Sequence, residues 1–299
     1  MNCKAICLTI CSLALAQTAT ALEICGNLKQ GELVLIKDSN AKAITLFSGE
    51  SINKLSEASY RPKNKKDYKV TSDGGALLAF HRDTPTTVTL GSYPHTDAGT
   101  FYELKIAPTK WDIQRINGVA QSKVTPDKSH DAEILREQKD VGRSLTHYTA
   151  GDYWQNGFIL PVEGRISGHF GNQRIFNGTP KSPHSGTDIA APEGTPVKAS
   201  GDGKVILSGK NYFYTGNMVI IDHGQGLQTI YAHLKEAKVK EGDIVKQGDI
   251  IGLVGKTGRA TGPHLHWGAS LNNVRFRPHS LLDINNKKCQ TVNGTYMGE

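Results

Sequence analysis

The chain has 299 residues, a formal charge of +7, 37% apolar and 21% charged residues. This composition excludes wholesale disorder and gives room for a substantial core and more than one domain. Its 32 glycines, about 11% of the chain against ~7% on average, lack a Gly-X-Y period and favour a turn-rich β protein.

Met1 to Ala21 reads as a signal peptide. Lys4 supplies the positive end, an apolar stretch runs from Ile6 to Leu15, and Ala19-Thr20-Ala21 forms a small-x-small cleavage site. Nothing later reaches the roughly 20 apolar residues of a membrane span, so no integral membrane segment is expected after cleavage. Removal of this segment leaves a charge of +6 and takes away Cys3, Cys7 and Cys11. Cys25 and Cys289 remain, and in an oxidising compartment they are expected to form one disulfide.

Residues 22–110 are expected to form an N-terminal β domain. Short β-like runs occur at Leu33–Lys37, Ala43–Phe47, Ala76–Arg82, Thr86–Gly91 and Phe101–Ala107, each bounded by turn residues. His81 and His95 are isolated, and the Lys-rich run Arg61–Lys69 reads as a solvated loop.

Residues 111–157 form a helical connector. Thr125-Pro126-Asp127 opens a helix from Asp131 to about Thr146, with an apolar stripe of Ile134, Val141 and Leu145. Residues 158–283 form a second all-β domain, with strand-like runs at Lys204–Ser208, Met218–Asp222, Leu227–His233 and Ile250–Val254, and 284–299 form a tail. Nineteen of the 32 glycines fall between Pro161 and Gly268. The expected fold is mainly β: a small sandwich or barrel-like N-terminal domain, a short helical connector and a C-terminal domain of antiparallel sheet.

The chemistry is concentrated in three histidine segments of the second domain: Pro183-His184-Ser185-Gly186-Thr187-Asp188, Tyr231-Ala232-His233-Leu234 and Thr261-Gly262-Pro263-His264-Leu265-His266-Trp267. His264 and His266 share a strand face, because side chains alternate. One carboxylate with imidazoles suits a zinc ion that keeps an open position, and the absence of cysteine argues against a structural zinc knot.

These segments resemble the lysostaphin-type (β-lytic) zinc metallopeptidases, which cut peptide cross-links of bacterial cell walls. The resemblance extends through Gly164-Arg165-Ile166-Ser167-Gly168, Ala191-Pro192, Gly194-Thr195-Pro196-Val197, Gly242-Asp243 and Gly248-Asp249, about 120 residues in all. Residues before this domain resemble, less strongly, the N-terminal region of exported Gram-negative members.

The resemblance implies that His184, Asp188 and His266 bind one Zn2+ and that His233 and His264 are catalytic histidines beside it. It further implies a periplasmic endopeptidase acting on peptidoglycan stem peptides by a zinc-activated water, with D-Ala–diaminopimelate the leading bond. Nucleic acid is not an expected partner. A wall-binding regulator without turnover and a latent hydrolase gated by its N-terminal domain stay open. His223 reads as structural and His169 as a groove candidate. Gly186 and Gly262 are expected to allow close backbone approach or special φ values. Arg174, Asn177, Tyr212 and Tyr214 are unassigned candidates for substrate contact.

Overall fold

The computed structural model describes residues 21–38, 40–55, 62–71, 74–94 and 99–297. The signal segment before Ala21, Arg61 and His95 lie outside the described residues. The N-terminal part is built on two antiparallel sheets. One orders the strands Cys289–Asn293, Ala21–Cys25, Leu33–Lys37 and Gly75–Ala79; the other orders Thr295–Met297, Gly99–Lys105, Thr87–Tyr93, Ala43–Ser48 and Lys65–Tyr68. The C-terminal tail thus completes both sheets with one strand each.

Alternation along these strands sends Leu22, Ile24, Ile36, Ile44, Leu46, Leu90 and Tyr102 into a shared core. That core continues into Leu227, Leu271, Phe276 and Leu281 of the second domain, so the two β units are packed as one apolar body. Cys25 faces Cys289 in register, and the two are joined as a disulfide across 264 residues of sequence. Its loss removes a long-range restraint on the unfolded chain. Cys25→Ser is therefore expected to lower unfolding free energy by about 2–5 kcal/mol, measurable by denaturant unfolding against the oxidised protein.

The expectation of a solvated loop at Arg61–Lys69 is corrected over Lys65–Tyr68. Lys65–Tyr68 is an edge strand against Ala43–Ser48, because Tyr68 turns inward and is buried while Lys65 and Asp67 face out. Lysines on an edge strand also oppose unwanted strand pairing.

The connector helix spans Asp131–Leu145 and packs on the strand Gly203–Tyr212. Leu145 and Val141 join a cluster with Leu207, Met218 and Ile230. Glu137 turns its buried carboxylate to the Phe213 amide, which donates to it at 2.7 Å. Ahead of the helix, the strand Ile113–Ile116 runs parallel to Gln173–Phe176 and so ties the connector to the second domain.

The second domain is organised by a ten-stranded sheet. Its centre places Gly216–Asp222, Leu227–Ala237, His264–Leu271, Gly186–Ala190 and Arg165–Gly168 side by side. One face buries Ile189, Val219, Ile221, Tyr231, Leu265 and Trp267. The other face carries the histidines. Among the described residues no helix is long and apolar enough to cross a membrane.

Candidate metal centre and catalytic groove

The site follows from strand register. Asp188 lies directly opposite His266, and His266 directly opposite Ala232, on three neighbouring strands. Opposed residues of an antiparallel pair project to one face at close range, so Asp188 and His266 meet. His184 enters from the preceding loop, held by its amide on Asn172 O at 2.8 Å and by Gly171 N on its carbonyl at 2.9 Å.

His233 reaches the same face by a backbone irregularity. Tyr231 and Ala232 point to opposite sides of the sheet in the ordinary way, whereas His233 has φ of 61° and its amide donates to Thr215 O at 2.9 Å. A left-handed non-glycine residue is costly, and such conformations cluster at functional sites. Here it turns the ring toward His264, at 4.7 Å between ring centroids.

His184 Nε2, Asp188 Oδ1 and His266 Nδ1 lie 2.9–3.0 Å from one another. Nitrogen and oxygen donors around a tetrahedral zinc sit roughly 3.3 Å apart, so this buried donor set fits one such ion with a few tenths of an ångström of opening. His184 Nδ1 donates to His169 O at 3.0 Å, which leaves Nε2 free as a donor to the metal. His169 thus acts through its carbonyl. His264 Nε2 is 3.9 Å from Asp188 Oδ1, and its Nδ1 donates to Gly262 O at 2.9 Å. His233 Nδ1 donates to Thr257 O at 2.8 Å, so both of these rings have Nε2 free.

Charge and burial set the protonation states. Burial pushes His184 down to about 4 and His233 down to about 3, the latter helped by the neighbouring His264 and His266. Burial also lowers His266. Burial alone would raise Asp188, but the charges and hydrogen bonds of His184 and His266 overcome it and hold the carboxyl well below the usual carboxylate range. At neutral pH His184, His233 and His266 are neutral and the carboxylate is ionised, the states a metal requires.

All five residues singled out in the sequence come together here. The remaining expectations divide. A Cβ at Gly186 would stand 2.8 Å from His266 Cε1 and 2.5 Å from Trp267 O, so that glycine makes room for the site. A Cβ at Gly262 would meet nothing within 4 Å, and the expected crowding there is corrected. Gly168, quoted only as part of a motif, is crowded like Gly186: its Cβ would stand 2.6 Å from Asp188 Oδ2.

Arg174 was unassigned in the sequence, and its guanidinium pairs with Asp188 Oδ2, leaving Oδ1 toward the histidines. Nothing in the spacing of Arg174 and Asp188 signals this pair, because it depends on Gln173–Phe176 folding back beside the ligand strand.

His223 lies outside the site and is fully buried. Its Nδ1 donates to Asp202 O at 2.6 Å and its Nε2 accepts from Thr229 Oγ1 at 2.7 Å. Burial pushes it down to about 4, against about 6.5 when unfolded. Between these values the unfolded chain binds the extra proton, so the stability tied to neutral His223 is complete above about 6.5 and is lost as pH falls toward 4. Urea unfolding at pH 7 and pH 5 is expected to show a loss on the order of 2 kcal/mol from this group. Substituting His223 by a neutral residue should flatten that difference.

A buried carboxylate with imidazole donors on an antiparallel sheet, flanked by two further imidazoles, defines the class of zinc peptidase domains. The sequence profile described as peptidase family M23 matches residues 182–278, and the chain carries a domain of that family, which is the lysostaphin type. Peptidoglycan DD-endopeptidase ShyA of Vibrio cholerae is 43% identical over 157 residues, covering 48% of this chain and 36% of that protein. DD-carboxypeptidase/endopeptidase Mpg of Neisseria meningitidis is 49% identical over 98 residues, covering 33% of this chain and 22% of that protein. The chain therefore spans about a third or less of the length of these relatives. A solved Pseudomonas aeruginosa structure assigned to peptidase family M23 aligns with a TM-score of 0.62 at 26% identity, covering 86% of this chain and 96% of the other. That alignment extends the similarity of fold to the N-terminal part.

Proposed function

We propose that this chain is an exported, periplasmic zinc metalloendopeptidase that hydrolyses peptide cross-links of peptidoglycan at D-Ala–diaminopimelate bonds. The observation that carries the reading is the donor triangle of His184, Asp188 and His266 with the free Nε2 atoms of His233 and His264 beside it. The names of the Vibrio and Neisseria relatives supply the substrate class.

In this reading His184 Nε2, Asp188 Oδ1 and His266 Nδ1 hold one zinc ion. When bound, zinc polarises a carbonyl and makes water more acidic. The residues of the chain do the rest. Arg174 holds Asp188 so that Oδ1 faces the metal, and the Thr257 and Gly262 carbonyls fix the tautomers of His233 and His264. Their free Nε2 atoms take a proton from the attacking water and return it to the departing nitrogen. The D-Ala–N bond breaks, one water is consumed, and the products are a D-Ala carboxylate and a free diaminopimelate amine.

The five residues are all intact, which favours turnover over the regulator that binds wall without cutting it. The test is metal content and activity of the purified mature chain on a cross-linked muropeptide dimer. One zinc per chain, loss of cleavage with a chelator and return with added zinc are expected. Cleavage that persists after complete metal removal would overturn the reading.

A further inference from the structure

The loop beside the two proposed proton-handling histidines carries a guanidinium that meets no counter-charge among the described residues. Arg259 lies on the segment from Thr257 to His264, which also supplies Thr257 O to His233 and Gly262 O to His264. Its Cζ is 4.6 Å from the Phe176 ring centroid and 4.5 Å from that of Tyr214. Its backbone amide donates to Tyr214 O at 2.8 Å. The side chain is half-buried, and among the described residues it makes no ion pair and no side-chain hydrogen bond.

Arg174 provides the contrast. It stands two residues before Phe176, its Cζ is 5.8 Å from the same ring, and its charge is already met by Asp188. Among the described residues Arg259 has no equivalent partner.

The stack is built, not incidental. Phe176 is anchored in a cluster with Val119 and Val124. Tyr214 follows Phe213, whose amide is held by buried Glu137 and whose carbonyl accepts from Lys123 Nζ at 2.9 Å. Rings stacked on a guanidinium occupy its flat surface and leave the N–H edge to bind, and that planar fork matches a carboxylate. Partial desolvation, which lowers the Arg259 pKa without discharging it, strengthens such a contact.

We infer that Arg259 is a specificity-determining residue that binds the substrate carboxylate on the carbon bearing the scissile nitrogen. The inference rests on the proposed function above. In a D-Ala–diaminopimelate cross-link the departing nitrogen sits on a carbon that carries a free carboxylate. A cross-link to a lysine side chain or to the amino end of a glycine bridge has no carboxylate on that carbon next to a comparable leaving amine in the same stem. The loop that carries Arg259 also fixes the rings of His233 and His264, and Arg259 stacks on Phe176, two residues from the Arg174 that pairs with Asp188, so the guanidinium borders the same site.

The test uses the zinc-loaded mature chain and two cross-linked muropeptide dimers that differ only at this carboxylate, free in one and amidated in the other. The wild type is expected to favour the free acid by about 10–100-fold in kcat/KM. Arg259→Gln should lose about that factor on the free acid and stay within about twofold on the amide. Arg259→Lys should recover part of the loss. Zinc content and thermal melting of each variant report whether the fold and site survive.

Equal losses on both dimers, or a wild type that does not distinguish them, would overturn the inference while leaving the proposed function standing. A wild type that cleaves neither dimer would overturn the proposed function, and this inference with it.

Discussion

His264→Ala is expected to keep about one zinc per chain and lose roughly 10³-fold in kcat, within the 10²–10⁴ range of general acid–base groups. The metal should stay because the three donors lie on each other and not on His264, whose Nε2 is 3.9 Å from Asp188 Oδ1. The rate should fall because one of the two rings able to accept and return the proton is gone. His233 remains, but burial holds its pKa down to about 3, which makes it a weak base acting alone. Metal analysis and steady-state kinetics on one cross-linked dimer check the two halves together. Zinc loss parallel to the activity loss would show that His264 is a ligand instead.

His184→Ala is expected to lose both metal and activity, with kcat/KM reduced by more than about 10⁴-fold at stoichiometric zinc. His184 supplies one of three donor atoms, and its ring is the one oriented by a fixed backbone contact to His169 O. Its removal also strips Asp188 of a hydrogen-bonding partner that helps keep the carboxyl ionised. His266 and Asp188 then offer only two donors, and Arg174 stays paired with Asp188 Oδ2 as before. The expected pattern is low zinc after dialysis and partial rescue at high zinc concentration. Full zinc occupancy in this variant would remove His184 from the ligand set.

Much of this architecture was readable in the residues because it depends on local pattern. Leu33–Lys37 and Ile250–Val254 match their strands residue for residue, and the helix begins at Asp131 as its opening signal requires. The donor set was readable through the family resemblance of the segments around His184–Asp188 and His264–His266, while the spacing alone places His264 and His266 on one strand face. Other features depend on distant pairing and left no local mark. The Lys-rich stretch hides a strand because its inward positions are few and Tyr68 is the only large apolar residue among them.

The tail strand Cys289–Asn293 is polar and mostly exposed, so nothing in its composition separates it from a loop; its partner Ala21–Cys25 creates it. Arg174 on Asp188 and Arg259 between Phe176 and Tyr214 arise from four separate segments meeting beside one site. The left-handed backbone of His233 left no mark in the sequence, where Leu227–His233 reads as an ordinary strand run with no glycine or proline at its end.

Mass analysis of muropeptides released from purified diaminopimelate-type sacculi tests the central claim most directly. Sacculi are digested with the zinc-loaded chain, with the same chain under chelation and with His264→Ala. The account predicts that D-Ala–diaminopimelate dimers become monomers with the addition of one water, only in the zinc-loaded wild-type digest at appreciable rate. Unchanged dimers in that digest, or products cut at a sugar linkage instead of a peptide bond, would contradict it.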